Sequence, residues 1–431
     1  MALRSLSLLL ACCCIAVASA QTQVFTDDVT HFWEACDRIT ATRDTAEQRR
    51  LLHSHFIDKA STGQRGMFAA RRYTPDEYLN AIRSYPRYYA SVRPNMMRAS
   101  DHAEAMLAGA QRLRELYLGM KPADIYFTVG VFRSGGTVKD GNVLIGCENS
   151  LTDKNTVVDE FPASMDHLRT HFATEPNREL AFTNVHELVH TQQPGRWGYD
   201  LLSQSLHEGI AEFIPTLVMD RPSPAASVAY GLAHADTVRA VFERELFAYW
   251  IDRWIWNADG PFPQRDLGYY VGYAMAKTYY DRHTDKAAAI ASLIGLNCED
   301  QAAVEAFADG CGYLSRSIAE LHAAFEAARP RVTHVAEFVN GSTGVDPALN
   351  AITIHFDRPL LKEFRSTGHG PLGAEHAPVV SAIDFAADGR AVTYALMLEP
   401  NRHYQFTLEE GYRDERLVQM IPYTVDFSTG E

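Results

Sequence analysis

The run His186-Glu187-Leu188-Val189-His190 places two imidazoles four residues apart with a carboxylate between them. On an α-helix, residues at that spacing lie one above the other on one face, so both imidazoles reach a single metal ion. Glu187 follows the first ligand directly, points away from the ligand set, and lies close enough to take a proton from a water on the metal. Two histidines leave a tetrahedral zinc short of a protein ligand, because catalytic sites supply three and keep the fourth position open. A second signature, Glu208-Gly209-Ile210-Ala211-Glu212, supplies the candidate: Glu208 as third ligand. Glu212 lies one turn further on the same face, where its carboxylate accepts the outer N–H of a liganding histidine and fixes the tautomer.

These side chains need two helices to position them. Residues 178–185 run into the histidine pair with apolar residues recurring at three and four, and Gln192-Gln193-Pro194-Gly195 ends that pattern. Leu201, Leu202, Leu206, Ile210, Phe213 and Ile214 form the buried stripe expected of a second helix, which folds back to bring Glu208 to His186 and His190. A third helix begins near Gly268 and carries Tyr269, Tyr270, Tyr273, Tyr279 and Tyr280. An oxyanion needs a donor aimed at it, and Tyr270 and Tyr273, with His207 behind them, are the candidates.

These residues resemble the gluzincins, thermolysin-like zinc metallopeptidases that combine His-Glu-x-x-His with a downstream glutamate. More narrowly, residues 125–280 resemble a family of secreted or membrane-linked zinc-dependent proteases. Tyr126-Phe127-Thr128-Val129-Gly130, Gly135-Gly136, Val143-Leu144-Ile145-Gly146, both signatures above and Gly268-Tyr269-Tyr270-Val271-Gly272-Tyr273 carry the likeness. The resemblance implies that His186, His190 and Glu208 bind zinc, that Glu187 is the general base, and that a strand along the cleft pairs with substrate backbone. It leaves the substrate sequence open.

Residues 1–20 read as an export signal: Arg4, an apolar run from Leu6 to Val17, and Ala18-Ser19-Ala20 before Gln21. Leu9-Leu10-Ala11-Cys12 also matches a lipoprotein cleavage box, so lipidation at Cys12 and attachment to the cell surface is the rival route. Either route delivers the chain to a periplasmic or extracellular, oxidising compartment. Cys36, Cys147, Cys298 and Cys311 then remain, as two disulfides or as four buried thiols. Short separation favours Cys298–Cys311 as one pair, leaving Cys36–Cys147 as the other. A net charge of −14 argues against nucleic acid and anionic membrane as partners.

The remaining organisation follows from periodicity. Helical spacing dominates 21–120, with helices expected at 46–56, 75–82 and 101–117; strands follow at 125–133 and 142–147, joined by turn chemistry around Ser134-Gly135-Gly136 and Lys139-Asp140-Gly141. Helical patterns resume from 178 to 326, interrupted by Pro261-Phe262-Pro263. The aromatic stretch 242–256 reads as core or cleft wall. Near Pro330 the period changes to two, with alternating runs at 352–356, 392–396 and 404–408 and a hairpin signal at Asp388-Gly389. This last segment is similar to bacterial immunoglobulin-like modules.

The expected architecture is therefore multidomain. A signal (1–20) precedes a mainly α, α+β thermolysin-like zincin domain with a small sheet (21–329: helical 21–120, catalytic 121–329), and an all-β immunoglobulin-like sandwich follows (330–431). The expected activity is zinc-dependent hydrolysis of a peptide or protein substrate. The alternatives are a non-catalytic surface-binding or adhesion protein on the same scaffold and a zinc hydrolase of non-peptide bonds.

Overall fold

The computed structural model describes residues 21–195, 197–256 and 260–431. The export signal and its cysteines lie outside the described residues. Among the described residues, many helices combine with three small sheets, and they divide into two compact units, one ending at Gln192 and the other beginning at Gln193. No helix among the described residues is long and apolar enough to cross a membrane.

In the first unit, helices Asp27–Thr40, Thr45–Leu52, Thr62–Arg71, Pro75–Ser84, Pro86–Met96 and Ala103–Leu116 precede the sheet. Their starts follow local chemistry. Thr74 and Glu77 form a reciprocal capping box with Pro75 in the first turn, and Asp44 and Ser61 accept N–H bonds at two other starts. The helix expected at 46–56 begins at Thr45 and widens at its end into a π-helical turn, His53–Ile57.

The sheet runs in the order Val24–Phe25, Ile125–Thr128, Asn142–Gly146, Gly136–Lys139; the first three strands are parallel and the last is antiparallel. It departs from expectation in two places. Residues 136–139 form a strand rather than a turn. Asp140 and Gly141 alone turn the chain, with φ of 50° and 76° and Lys139 paired to Asn142, which is the left-handed conformation that a two-residue hairpin demands. The strand at 125 also stops at Thr128, short of 133, because side chains take over its backbone groups. Gln64 bonds both the N–H and the carbonyl of Val129, at 2.8 and 2.9 Å, and Glu148 accepts the N–H groups of Gly130 and Phe132 at 2.8 and 3.1 Å. The helix Leu180–Gln192 packs on strands Gly136–Lys139 and Asn142–Gly146 and on helix Ala103–Leu116.

In the second unit, Leu201–Met219 and Leu267–Arg282 are the central helix pair. Their backbones touch. A Cβ at Gly209 would fall 2.2 Å from the carbonyl carbon of Gly272, and one at Gly272 would fall 1.7 Å from the carbonyl oxygen of Ser205. Ser205-x3-Gly209 and Gly268-x3-Gly272 thus form two facing small-residue stripes that admit closer approach than the usual 8–10 Å interaxial distance. Residues 243–256 are irregular and only partly core: Phe247 and Trp254 are buried, Trp254 edge-on to Phe242 and donating to Glu245 at 2.8 Å, whereas Tyr249, Trp250 and Trp256 are exposed.

After helix Ile318–Ala328, two four-stranded sheets enclose one apolar core. The first has the order Val332–Val335, Ala351–Phe356, Ala391–Leu396, Val379–Phe385 and is antiparallel throughout. The second has the order Thr343–Val345, Tyr423–Thr429, His403–Leu408, Thr367–His369. Its first pair is parallel and the other two pairs are antiparallel. Ile352, Ile354 and Phe356 from one sheet and Phe406, Leu408, Val425 and Phe427 from the other fill the space between them. Arg329 ties helix to sheets: its guanidinium bonds Glu326, Glu410 and the carbonyls of Gln419 and Met420.

Cys36, Cys147, Cys298 and Cys311 stand as buried free thiols. Burial pushes Cys36 and Cys298 up to about 12 and raises the other two, so none is a ready thiolate ligand.

Candidate metal centre

The helix Leu180–Gln192 forms as its spacing predicts, and its environment explains why it must be apolar on most of its surface. Leu180, Phe182, Val185, Leu188 and Val189 are buried. His186 and His190, one turn apart, turn their Nε2 atoms to within 3.1 Å of each other, with ring centroids 4.7 Å apart. Two zinc–nitrogen bonds of about 2.05 Å at a tetrahedral angle set their nitrogens roughly 3.3 Å apart, so this pair already has the shape of one tetrahedral edge.

Glu208 sits on helix Leu201–Met219, whose start is fixed by a capping box between Asp200 and Ser203. All six residues of the expected stripe are buried. Among the described residues, His186, His190 and Glu208 are a group whose candidate ligand atoms all lie within 4.8 Å of one another. His186 is 9% exposed and Glu208 7%. A carboxylate so far removed from water is costly without a cation or donors around it, and an N2O set of imidazole and carboxylate suits zinc.

Glu187 lies against the edge strand. A Cβ on Gly136 would come within 2.6 Å of its Oε1 and 3.0 Å of its Cδ and Cγ, so the missing side chain at 136 is the room that the Glu187 carboxylate uses. Glu212 is buried and accepts a hydrogen bond from the Ser223 hydroxyl.

The tyrosine helix brings to Glu208 a residue other than the expected oxyanion donors. Tyr270 is buried against Gly231 and beside Tyr313, and Tyr273 packs edge-on to Phe213 at 5.6 Å. His207 is buried, with its carbonyl accepting from Gln193 at 2.9 Å, and as the neighbour of Glu208 it projects about 100° further round the helix. The tyrosine whose hydroxyl bonds Glu208 is Tyr269. Its phenol is held well above the ordinary range by burial and by the negative field of Glu208, and it also accepts the Nε1–H of Trp256 at 3.1 Å. Periodicity marks the helix but not which of two adjacent tyrosines faces Glu208. The signal that separates them is the pair of small-residue stripes: Glu208 adjoins Gly209 and Tyr269 adjoins Gly268, so both flank the closest contact between the two helices.

No protein-family model matches the chain, and no curated protein matches it. Among solved structures, the chain is similar to surface layer protein SbsC, domains 1–6, with a TM-score of 0.19 and 12% identity over 94% of this chain and 46% of that one. The S-layer protein rSbsC(31–844) gives 0.18 and 12% over 94% and 45%. The chain spans about half the length of these structures. Similarity at that level carries no statement about fold or function.

Proposed function

We propose that the protein is an exported zinc-dependent metallopeptidase, built as a thermolysin-like zincin region followed by an immunoglobulin-like sandwich. The observation that carries this reading is the convergence of His186, His190 and Glu208 within 4.8 Å, with Glu187 directly after the first histidine. The two imidazoles, through Nε2, and one oxygen of Glu208 would hold zinc. When bound, the ion supplies a Lewis acid that polarises a carbonyl and acidifies a water.

The chain's own residues do the rest. Glu187 takes the proton of the attacking water and returns it to the leaving amine nitrogen. Gly136 leaves the Glu187 carboxylate its position. Tyr269 donates to Glu208, and Glu212 orients a liganding imidazole. The edge strand Gly136–Lys139 has one side unpaired by the sheet, which suits main-chain pairing with an extended peptide.

The test is incubation of purified protein with a mixed peptide library, with and without chelator, alongside metal analysis. Cleavage that chelation abolishes and zinc restores is the expected result. Glu187→Gln should retain stoichiometric zinc while losing about 10²–10⁴-fold in turnover. Full activity in that variant removes the assigned base, and binding without any hydrolysis points to the scaffold serving as an adhesion protein.

A further inference from the structure

Trp197 and Trp256 meet edge to face, with centroids 5.4 Å apart and planes inclined at 63°, yet they are 51% and 47% exposed. Indoles carry the largest apolar surfaces of any side chain, and folding gains little from two that remain half wet. Trp256 is also strained: its φ of 65° lies in the left-handed region, where a bulky aromatic is an outlier. Two hydrogen bonds hold it there. Its backbone N–H donates to Asp266 Oδ1 at 2.7 Å, and its Nε1–H donates to the Tyr269 hydroxyl at 3.1 Å. Tyr269 in turn bonds Glu208. One chain of hydrogen bonds therefore joins an exposed aromatic corner to a residue of the candidate metal group.

We infer that the Trp197–Trp256 corner is the subsite that receives an aromatic or large aliphatic side chain of an extended peptide. This rests on the peptidase reading above and names its substrate class. The inclination of the rings favours a side chain over a sugar: a third ring or a branched aliphatic group packs into a wedge in the edge-to-face manner of aromatic clusters, whereas a pyranose is held flat on one ring face. The hydrogen bonds from Trp256 to Asp266 and Tyr269 keep the wedge preformed, so the peptide does not have to order it on binding.

The experiment uses full-length Glu187→Gln loaded with zinc and capped pentapeptides that differ only in Phe or Ala at one position. Binding is followed by intrinsic tryptophan fluorescence and by calorimetry. The Phe peptide should bind at least about tenfold more tightly at one position, the factor expected from burying a ring. Trp197→Ala should bring it to the affinity of the Ala peptide with zinc content retained. Trp256→Phe, which keeps a ring but loses the Nε1–H donor, should weaken the preference without abolishing it. Equal affinity for the two peptides, or a preference that survives both Trp197→Ala and Trp256→Ala, overturns the assignment. Displacement of the Phe peptide by a cello- or chito-oligosaccharide overturns it in favour of a sugar subsite. Tight, Trp197-dependent binding of the Phe peptide without cleavage by the wild-type protein leaves the subsite standing and removes the peptidase reading.

Discussion

At the scale of single residues, the candidate centre is a set of ligands and a set of groups that aim them. Two imidazole nitrogens at 3.1 Å and a buried carboxylate are the candidate ligands; Tyr269 and Glu187 show what aiming requires. The Tyr269 hydroxyl accepts from Trp256 and donates to Glu208, so the carboxylate has one lone pair committed and a defined orientation for the other. Tyr269→Phe should therefore fold normally but bind zinc about 10- to 100-fold more weakly, measured by competition with a chromogenic chelator. Unchanged affinity would show that the bond to Glu208 does not orient it. The grouping of His186, His190 and Glu208 was legible from type and spacing alone. Tyr269 was not, since adjacent positions on a helix differ only in azimuth.

At the scale of elements, two close approaches place the chemistry. Gly136 on the edge strand faces the flexible end of Glu187, so an added methyl displaces a side chain rather than a backbone. Gly136→Ala should thus cost little stability yet lower turnover at least about tenfold, because a base moved by an ångström no longer meets its proton well. Thermal melts and peptide cleavage on the same preparation separate the two effects, and a fall in melting temperature with normal specific activity would contradict it. Gly209 is the opposite case. Its missing Cβ faces the backbone of Gly272 at 2.2 Å, so Gly209→Ala must push the two helices apart and should destabilise by roughly 2–3 kcal/mol or more. A urea midpoint equal to that of the parent would refute the backbone contact. The helices that place the candidate ligands were readable from apolar periodicity. Strand 136–139 was not, because Gly-Gly and Asp-Gly look like turn chemistry whether they bound a strand or replace one.

At the scale of the molecule, the first unit buries one carboxylate whose ionisation acts on overall stability. Burial raises Glu148 from the usual 4.5 to about 7, against the pull of the N–H groups of Gly130 and Phe132. The folded state then holds a proton that the unfolded chain releases, so this contribution is full below pH 4.5 and fades as pH rises through about 7. The effect is on the order of 3 kcal/mol. The stability advantage of wild type over Glu148→Gln should shrink by that order between about pH 4.5 and 8 in urea titrations. An advantage that stays constant across that range would mean that Glu148 titrates at its ordinary value.

Sequence alone determined what depends on neighbours along the chain. The four-residue histidine spacing, the apolar stripes, the switch to alternation near Pro330 and the Asp-Gly turn at 140–141 all follow from local geometry of the backbone. Tertiary structure decided what depends on residues far apart in sequence. It set the parallel pairing of Thr343–Val345 with Tyr423–Thr429, the room Gly136 leaves for Glu187, and the choice of Tyr269 over its neighbours. The reason is physical: a period reports which face of an element is apolar, whereas contact between elements depends on how closely their backbones approach, which here is governed by glycines whose partners lie dozens of residues away.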